Sequence, residues 1–230
     1  ENTVGTVGGN GDYGNSGDGG PALEAGMWGP SDVATGADGS VYITTANRVR
    51  KIDPLGTIRT VPGTVLDSGM SDVTVGSDGS VYFIHDHRIY RVTADGNLNH
   101  IAGNGEAGFS GDGGPAIDAS FIRPSGLAVS PDGSVYIGDF RTHRVRRIGP
   151  DGIIRTVAGN GDSGPISGLG GPATAAVIDR VFDVAIGPDR SLYICSHNYS
   201  ILRVGADGTI ERVAGNGRNG FSGDGGPATR

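Results

Sequence analysis

A repeat does most to restrict what this chain can fold into. Val-Gly-Gly-Asn at residues 7–10 returns as Ile-Ala-Gly-Asn at 101–104, Val-Ala-Gly-Asn at 157–160 and Val-Ala-Gly-Asn at 213–216, with Val-Pro-Gly-Thr at 61–64 as a variant. The closing residues of successive copies lie 54, 40, 56 and 56 positions apart. Periods of this size belong to solenoids and propellers, in which each unit buries its apolar face only against a neighbour. Glycine supplies 44 of the 230 residues, which suits either disordered low complexity or an all-β chain full of turns. Ordered self-similarity decides for the second.

Inside each unit the signals are short strands and tight turns. Ser-Val-Tyr-Ile at 40–43 recurs as Ser-Val-Tyr-Phe at 80–83, Ser-Val-Tyr-Ile at 134–137 and Ser-Leu-Tyr-Ile at 191–194. Before them stand Asp38-Gly39, Asp78-Gly79, Asp132-Gly133 and Asp189-Arg190. Asp-Gly between apolar runs predicts a type I′ hairpin, with positive φ at both central residues; Arg190 predicts a different turn in the last copy. A second set of turns follows at Leu55-Gly56, Asp95-Gly96, Asp151-Gly152 and Asp207-Gly208. Each repeat therefore reads as four strands, a to d, in the third copy at 126–130, 134–140, 143–148 and 153–158. Such four-stranded antiparallel units repeated about an axis are propeller blades. No stretch keeps a 3.6-residue apolar period for three turns, so helices are minor.

The expected architecture is an all-β propeller with blades at about 31–63, 71–103, 125–159 and 181–215. Residues 1–9 supply an outer strand, and 216–230 begin a further repeat. The pattern reads as a fragment of a larger propeller, because the strands that would pair with that outer strand are absent. A closed four-bladed ring, or two copies assembling a larger one, are the alternatives. No leader peptide is visible. Chain parity puts the tight a–b and c–d turns on one face, and the b–c loops and long d–a connections on the other. Loops on a rigid scaffold carry function, so the long-loop face is the expected binding face.

Several partners are excluded. No apolar run approaches the roughly 20 residues of a membrane-spanning helix. The lone Cys195 rules out a disulfide framework. A formal net charge of −7 without a basic cluster argues against nucleic acid.

The third copy, Pro124-Ser125-Gly126-Leu127-Ala128-Val129, Asp132-Gly133, Val135-Tyr136-Ile137-Gly138-Asp139 and His143-Arg144-Val145-Arg146-Arg147-Ile148, resembles the NHL repeat. The loop Gly-Phe-Ser-Gly-Asp-Gly-Gly-Pro-Ala at 108–116 returns at 220–228, with variants at 14–22 and 164–173. It is similar to a subgroup in secreted bacterial proteins, to which the propellers of teneurins and of bacterial YD-repeat shell proteins are related. The second repeat departs from this pattern, since its d–a loop is short. The resemblance implies a propeller, often of six blades. Some propellers of this kind are metal-dependent amidating lyases, and other propellers are lactonases.

Three sets of residues could carry chemistry. Asp18, Asp112 and Asp224 sit in the Gly-Asp-Gly-Gly loops, where a carboxylate and backbone carbonyls suit Ca²⁺; Leu169 at the matching place in the fourth copy favours a turn role. The b–c loops hold Arg48, His85, His87, Arg88, Asp139, His143, Arg144 and His197. A ring of histidines could bind Zn²⁺, but these share no repeat offset, and hydrogen bonding within and between blades explains them as well. The c-strand arginines Arg48, Arg50, Arg88, Arg91, Arg144, Arg146, Arg147 and Arg203 could read acidic sugars or a partner's carboxylates, or pair within the scaffold. Trp28 could stack on a sugar or fill space between blades.

No nucleophile elbow, P-loop, His-Glu-x-x-His or dinucleotide fingerprint is present. The leading expectation is a non-enzymatic, extracellular or cell-surface binding scaffold presenting its long-loop face to a protein or glycan. It has no cofactor unless calcium binds at the loop aspartates, no nucleic-acid partner and no membrane span. One alternative is a metal-dependent lyase or lactonase with an axial site. The other is a packing element of a larger toxin or adhesion shell, touching its own longer chain or a second copy.

Overall fold

The computed structural model of the chain describes residues 3–67 and 69–230. Among them, sixteen strands form four antiparallel sheets, each of four consecutive strands. Blade 1 contains β1 (Asp32–Thr35), β2 (Val41–Thr45), β3 (Arg48–Ile52) and β4 (Ile58–Thr60). Blade 2 contains β5 (Met70–Val75), β6 (Val81–His85), β7 (Arg88–Val92) and β8 (Leu98–Ala102). Blade 3 contains β9 (Pro124–Val129), β10 (Val135–Asp139), β11 (Arg144–Ile148) and β12 (Ile154–Ala158). Blade 4 contains β13 (Val181–Ile186), β14 (Leu192–Ser196), β15 (Ser200–Val204) and β16 (Ile210–Ala214). These are the expected propeller blades, and helical structure is confined to three single 3-10 turns.

The chain divides into two compact units, one ending at residue 101 and one running from 102 to 230. In the first, blade 1 meets blade 2 through β1 and β5. Asp32 Oδ2 accepts the Val73 N–H at 2.9 Å, beside a core that includes Tyr42, Val49, Met70, Val73 and Phe83. In the second, β9 meets β13, and Ser125 Oγ donates to the Val181 carbonyl at 2.6 Å. Its core gathers Val145, Ile178, Val181, Val184, Ile194 and Leu202. A Cβ on Gly126 would lie 2.6 Å from Asp183 Cα, and one on Gly138 2.6 Å from Val181 Cγ1. This paired glycine couple of β9 and β10 therefore lets the two backbones approach.

The a–b hairpins differ from the expected type I′. In the Asp38-Gly39 pair only Gly39 has positive φ, at +81°. Gly36 N–H bonds Ser40 O at 2.8 Å and Gly39 N–H bonds Gly36 O at 3.0 Å. This is a tight turn closed by one left-handed residue. Asp38 stays out of the left-handed region and accepts the Ser40 N–H and hydroxyl at 3.0 and 2.9 Å. Blade 4 uses the same turn, not a different one: Gly187 N–H bonds Ser191 O and Arg190 N–H bonds Gly187 O, both at 2.9 Å. Arg190 simply takes the left-handed place, with φ +65°.

Two further expectations change. Residues 3–8 form no strand. Val4 and Val7 are exposed, and no sheet edge pairs with them among the described residues, which leaves an extended segment without the hydrogen bonds that make a strand. The long d–a loops also do not stand up from the b–c face. Each folds down along the outermost strand of the blade that follows. In blade 3, Gly113 N–H bonds Ile154 O at 2.8 Å, Ile154 N–H bonds Gly114 O at 3.0 Å, and Ala116 N–H bonds Gly152 O at 3.0 Å. Blade 1 repeats this with Gly19, Ile58, Gly20, Ala22 and Gly56, and blade 4 with Gly170, Ile210, Gly171, Ala173 and Gly208. An outer strand presents a row of unpaired backbone groups, and the loop satisfies them.

Candidate functional site

With those loops turned aside, the b–c end of each unit consists of the b–c loops and the residues leading into the first strand. In the second unit this rim is organised by Asp139, at the end of β10 and 1% exposed. Its carboxylate accepts N–H groups from Ile122 (2.9 Å), Arg123 (3.1 Å), Arg141 (3.1 Å) and Thr142 (3.3 Å), tying the lead-in segment to the b–c loop. The clamp sets the Arg123 guanidinium 4.6 Å from the centre of the Phe140 ring, and Arg180 comes to 5.7 Å from the same ring. Phe140 in turn packs against Phe182 at 5.2 Å.

Blade 4 continues the rim. His143 Nδ1 accepts the Arg180 N–H at 2.8 Å and lies 3.2 Å from Asp179 Oδ1. His197 Nδ1 lies 3.5 Å from the other Asp179 oxygen, and the His197 N–H donates to the Arg180 carbonyl at 3.0 Å. The rings of Phe182, His197 and Tyr199 follow in sequence at 5.7 and 6.2 Å, with Phe182 and Tyr199 half-exposed. His143, Asp179 and Tyr199 have φ of +55°, +33° and +50°. Left-handed backbone at non-glycine residues is unfavourable, and its concentration here marks a rim held in shape by its surroundings.

The electrostatics run against the acidic chain. Arg123 and Arg180 are exposed, and no carboxylate pairs with either among the described residues. Asp139 is buried and already saturated by four N–H donors, and Asp179 lies between two histidines. A guanidinium laid over an aromatic ring keeps its N–H edge free for a carboxylate or sulfate.

An NHL repeat model matches residues 121–148, which run from the rim's lead-in segment through β11. Residues 121–148 form an NHL repeat. Human Teneurin-1 is 29% identical over 218 residues, covering 85% of this chain and 8% of its own length. Mouse Teneurin-3 is 27% identical over 216 residues, covering 81% and again 8%. The chain thus spans under a tenth of the length of these teneurins. A streptogramin B lyase structure superposes with a TM-score of 0.59 at 19% identity, over 83% of this chain and 56% of that one. An auxiliary nutrient binding protein from Bacteroides thetaiotaomicron gives 0.62 at 16%, over 88% and 51%. At such identities the superpositions speak for the fold alone.

Within the blades the predicted site residues have separate destinations. His143 and His197 are brought together by Asp179, which sequence reasoning missed, as it missed Arg123, Phe140, Arg180 and Phe182. One signal was available: Arg123 and Arg180 occupy the same repeat position, filled by Gly29 and Gly69 in the first unit. Arg144 is spent on backbone, bonding Thr142 O at 2.9 Å and Asn160 O at 2.6 Å. In the first unit the buried His85 has Nε2 2.9 Å from Asp67 Oδ1, and Arg88 faces it across the β6–β7 register. His87 is half-buried, Arg48 Nε bonds Asn47 Oδ1 at 3.2 Å, and Trp28 stays half-exposed with its carbonyl accepting the Ala46 N–H at 2.8 Å.

Asp18 and Asp112 have a role that neither the calcium nor the turn reading contained. Asp112 Oδ1 accepts two bonds from the fully buried Arg146, at 2.9 and 2.6 Å, and its Oδ2 takes the Thr156 N–H at 2.9 Å. Asp18 bonds the fully buried Arg50 at 2.8 Å. Asp224 is exposed. The c-strand arginines Arg91, Arg147 and Arg203 pair with Asp78, Asp132 and Asp189. Among the described residues no three His, Cys, Asp or Glu side chains gather closely enough to hold a metal ion. No helix is long and apolar enough to cross a membrane.

Proposed function

We propose that this chain is a non-enzymatic, extracellular binding scaffold whose second unit takes an anionic partner, an acidic glycan or a carboxylate-bearing protein surface, on the rim around Phe140. The observation that carries the reading is the pair of exposed guanidiniums, Arg123 and Arg180, laid over one ring without carboxylate partners. The aromatic run of Phe182, His197 and Tyr199 beside them offers faces for sugar rings or apolar side chains. Preorganisation supports it further: Asp139 fixes both loops before any ligand arrives, which lowers the ordering cost of recognition.

The test uses the full chain with a heparin oligosaccharide and poly-glutamate as anionic probes and neutral dextran as control. At least one anionic probe binds, weakens with added salt, and loses at least tenfold in affinity in the Arg123→Ala/Arg180→Ala variant. Equal binding of dextran, unchanged binding by the variant, or no binding of either anionic probe overturns the reading.

A further inference from the structure

A second surface belongs to the first unit, on the outer edge of blade 2. Blades 1, 3 and 4 each cover their outermost strand with their own loop, and the cover is strand-like: Pro21, Pro115 and Pro172 form antiparallel bridges to Thr57, Ile153 and Thr209. Beneath it Ile58, Ile154 and Ile210 are fully buried. In blade 2 the preceding connection is the short 61–69 segment. At the matching place Leu98 remains partly exposed, and among the described residues no bridge forms at Asn97 and no loop exchanges backbone bonds with Leu98. Pro62 and Gly63 only lie alongside Gly96 and Leu98: a Cβ added to Gly96 would lie 4.0 Å from Pro62 Cβ, and one added to Gly63 3.2 Å from Leu98 Cβ.

The covered blades also show how a cover is selected. In blades 1 and 3 a loop residue pairs with the third residue of the third strand, Asp18 with Arg50 and Asp112 with Arg146, while blade 4 has the exposed Leu169 and the buried Leu202 at the matching sequence positions. Acid goes with arginine, and leucine with leucine. Blade 2 presents Tyr90 there, stacked on Phe83 at 5.4 Å and against His100 at 5.1 Å. This aromatic surface has no guanidinium at that place to pair with an aspartate.

We infer that the outer edge of blade 2 is a docking site for an extended peptide that adds alongside β8, with a Gly-Gly-Pro-Ala-like spine and an apolar side chain where the other loops carry aspartate. Main-chain bonds to Leu98 and Gly96 hold it, as in the sibling blades, and Tyr90 selects the apolar residue.

The experiment follows backbone amide exchange in the full chain with two synthetic peptides: residues 167–176, Ser-Gly-Leu-Gly-Gly-Pro-Ala-Thr-Ala-Ala, and its Leu169→Asp form. The leucine peptide slows exchange at Leu98 at least tenfold, while the aspartate form needs at least tenfold higher concentration. Tyr90→Arg reverses the order. Should that variant fail to fold, a chain whose 64–67 segment is replaced by residues 106–116 keeps the test open. There Leu98 exchanges slowly without peptide, and peptide adds nothing. The inference is overturned if Leu98 in the free chain already exchanges as slowly as Ile154, or if neither peptide slows it. Protection that rises with protein concentration alone assigns the edge to a second copy and overturns the peptide.

Discussion

Blade 3 seats its covering loop with an ion pair between Asp112 and the buried Arg146, whereas blade 4, with the same three backbone bonds, has leucine at both places. The backbone bonds are therefore what the cover requires, and the side-chain pair is interchangeable only as a pair. The molecule has made a double substitution within itself, and it shows why one half alone is costly: Arg146 has no exposed surface, so its charge depends on a partner that arrives with the loop.

The sharpest way to break this comparison is Asp112→Leu alone, which leaves a buried guanidinium with the Ser110 and Ser120 carbonyls but no countercharge and costs about 3–5 kcal/mol in denaturant unfolding. Arg146→Leu alone costs less, because Asp112 is about a third exposed and can hydrate. The double variant, a copy of blade 4, recovers most of the loss. Equal costs for the two single changes would refute the asymmetry. Next in size is Gly126→Ala, which drives a methyl into Asp183 at the meeting of blades 3 and 4 and costs about 1–3 kcal/mol. A thermal scan of that variant checks it.

Acid separates the two blades more gently. Burial pushes the Asp112 carboxyl up, but bonds from Thr156 and Arg146 more than reverse this, leaving it below its ordinary value. The hairpin aspartates Asp38, Asp132 and Asp189 are lowered to about 2, chiefly by the Ser40 N–H, the Ser130 hydroxyl and Arg203 respectively. A depressed folded pKa gives stability that is whole above the ordinary carboxylate value and lost as pH falls through the folded one. The unfolding midpoint therefore drops between about pH 4 and about pH 2. The Asp112→Leu/Arg146→Leu variant loses less across that window. Smallest is Arg190→Gly in the one a–b hairpin without glycine at its left-handed place, a gain of about 1 kcal/mol from relieving a left-handed arginine, read as a higher melting temperature. No gain would mean the turn tolerates arginine without strain.

Much of the scaffold was legible because its signals are local. Asp38-Gly39 and its copies announce a reversal whatever lies around them, and alternating runs such as Val135-Tyr136-Ile137 announce the strands. The turn type was misjudged because Asp38 bonds Ser40 through its own side chain, a choice invisible in an Asp-Gly pair. The rim was only half legible. His143 and His197 stood out as residue types, yet the aspartate between them comes from a segment that enters the rim only when blade 4 packs on blade 3. Arg146 looked like a candidate for acidic ligands, whereas the loop 34 residues earlier had already claimed it.

The residues in order were enough to determine that the chain makes four-stranded blades, where those blades recur, and that no long helix forms, because hydrogen-bonded hairpins and alternating burial are properties of neighbours in sequence. Only the tertiary structure decided that the glycine-rich loops lie along blade edges, that their aspartates meet buried arginines, and that Arg123 and Arg180 remain free around one ring. Those outcomes depend on which groups lose water beside which others, and that is settled by packing between segments tens of residues apart.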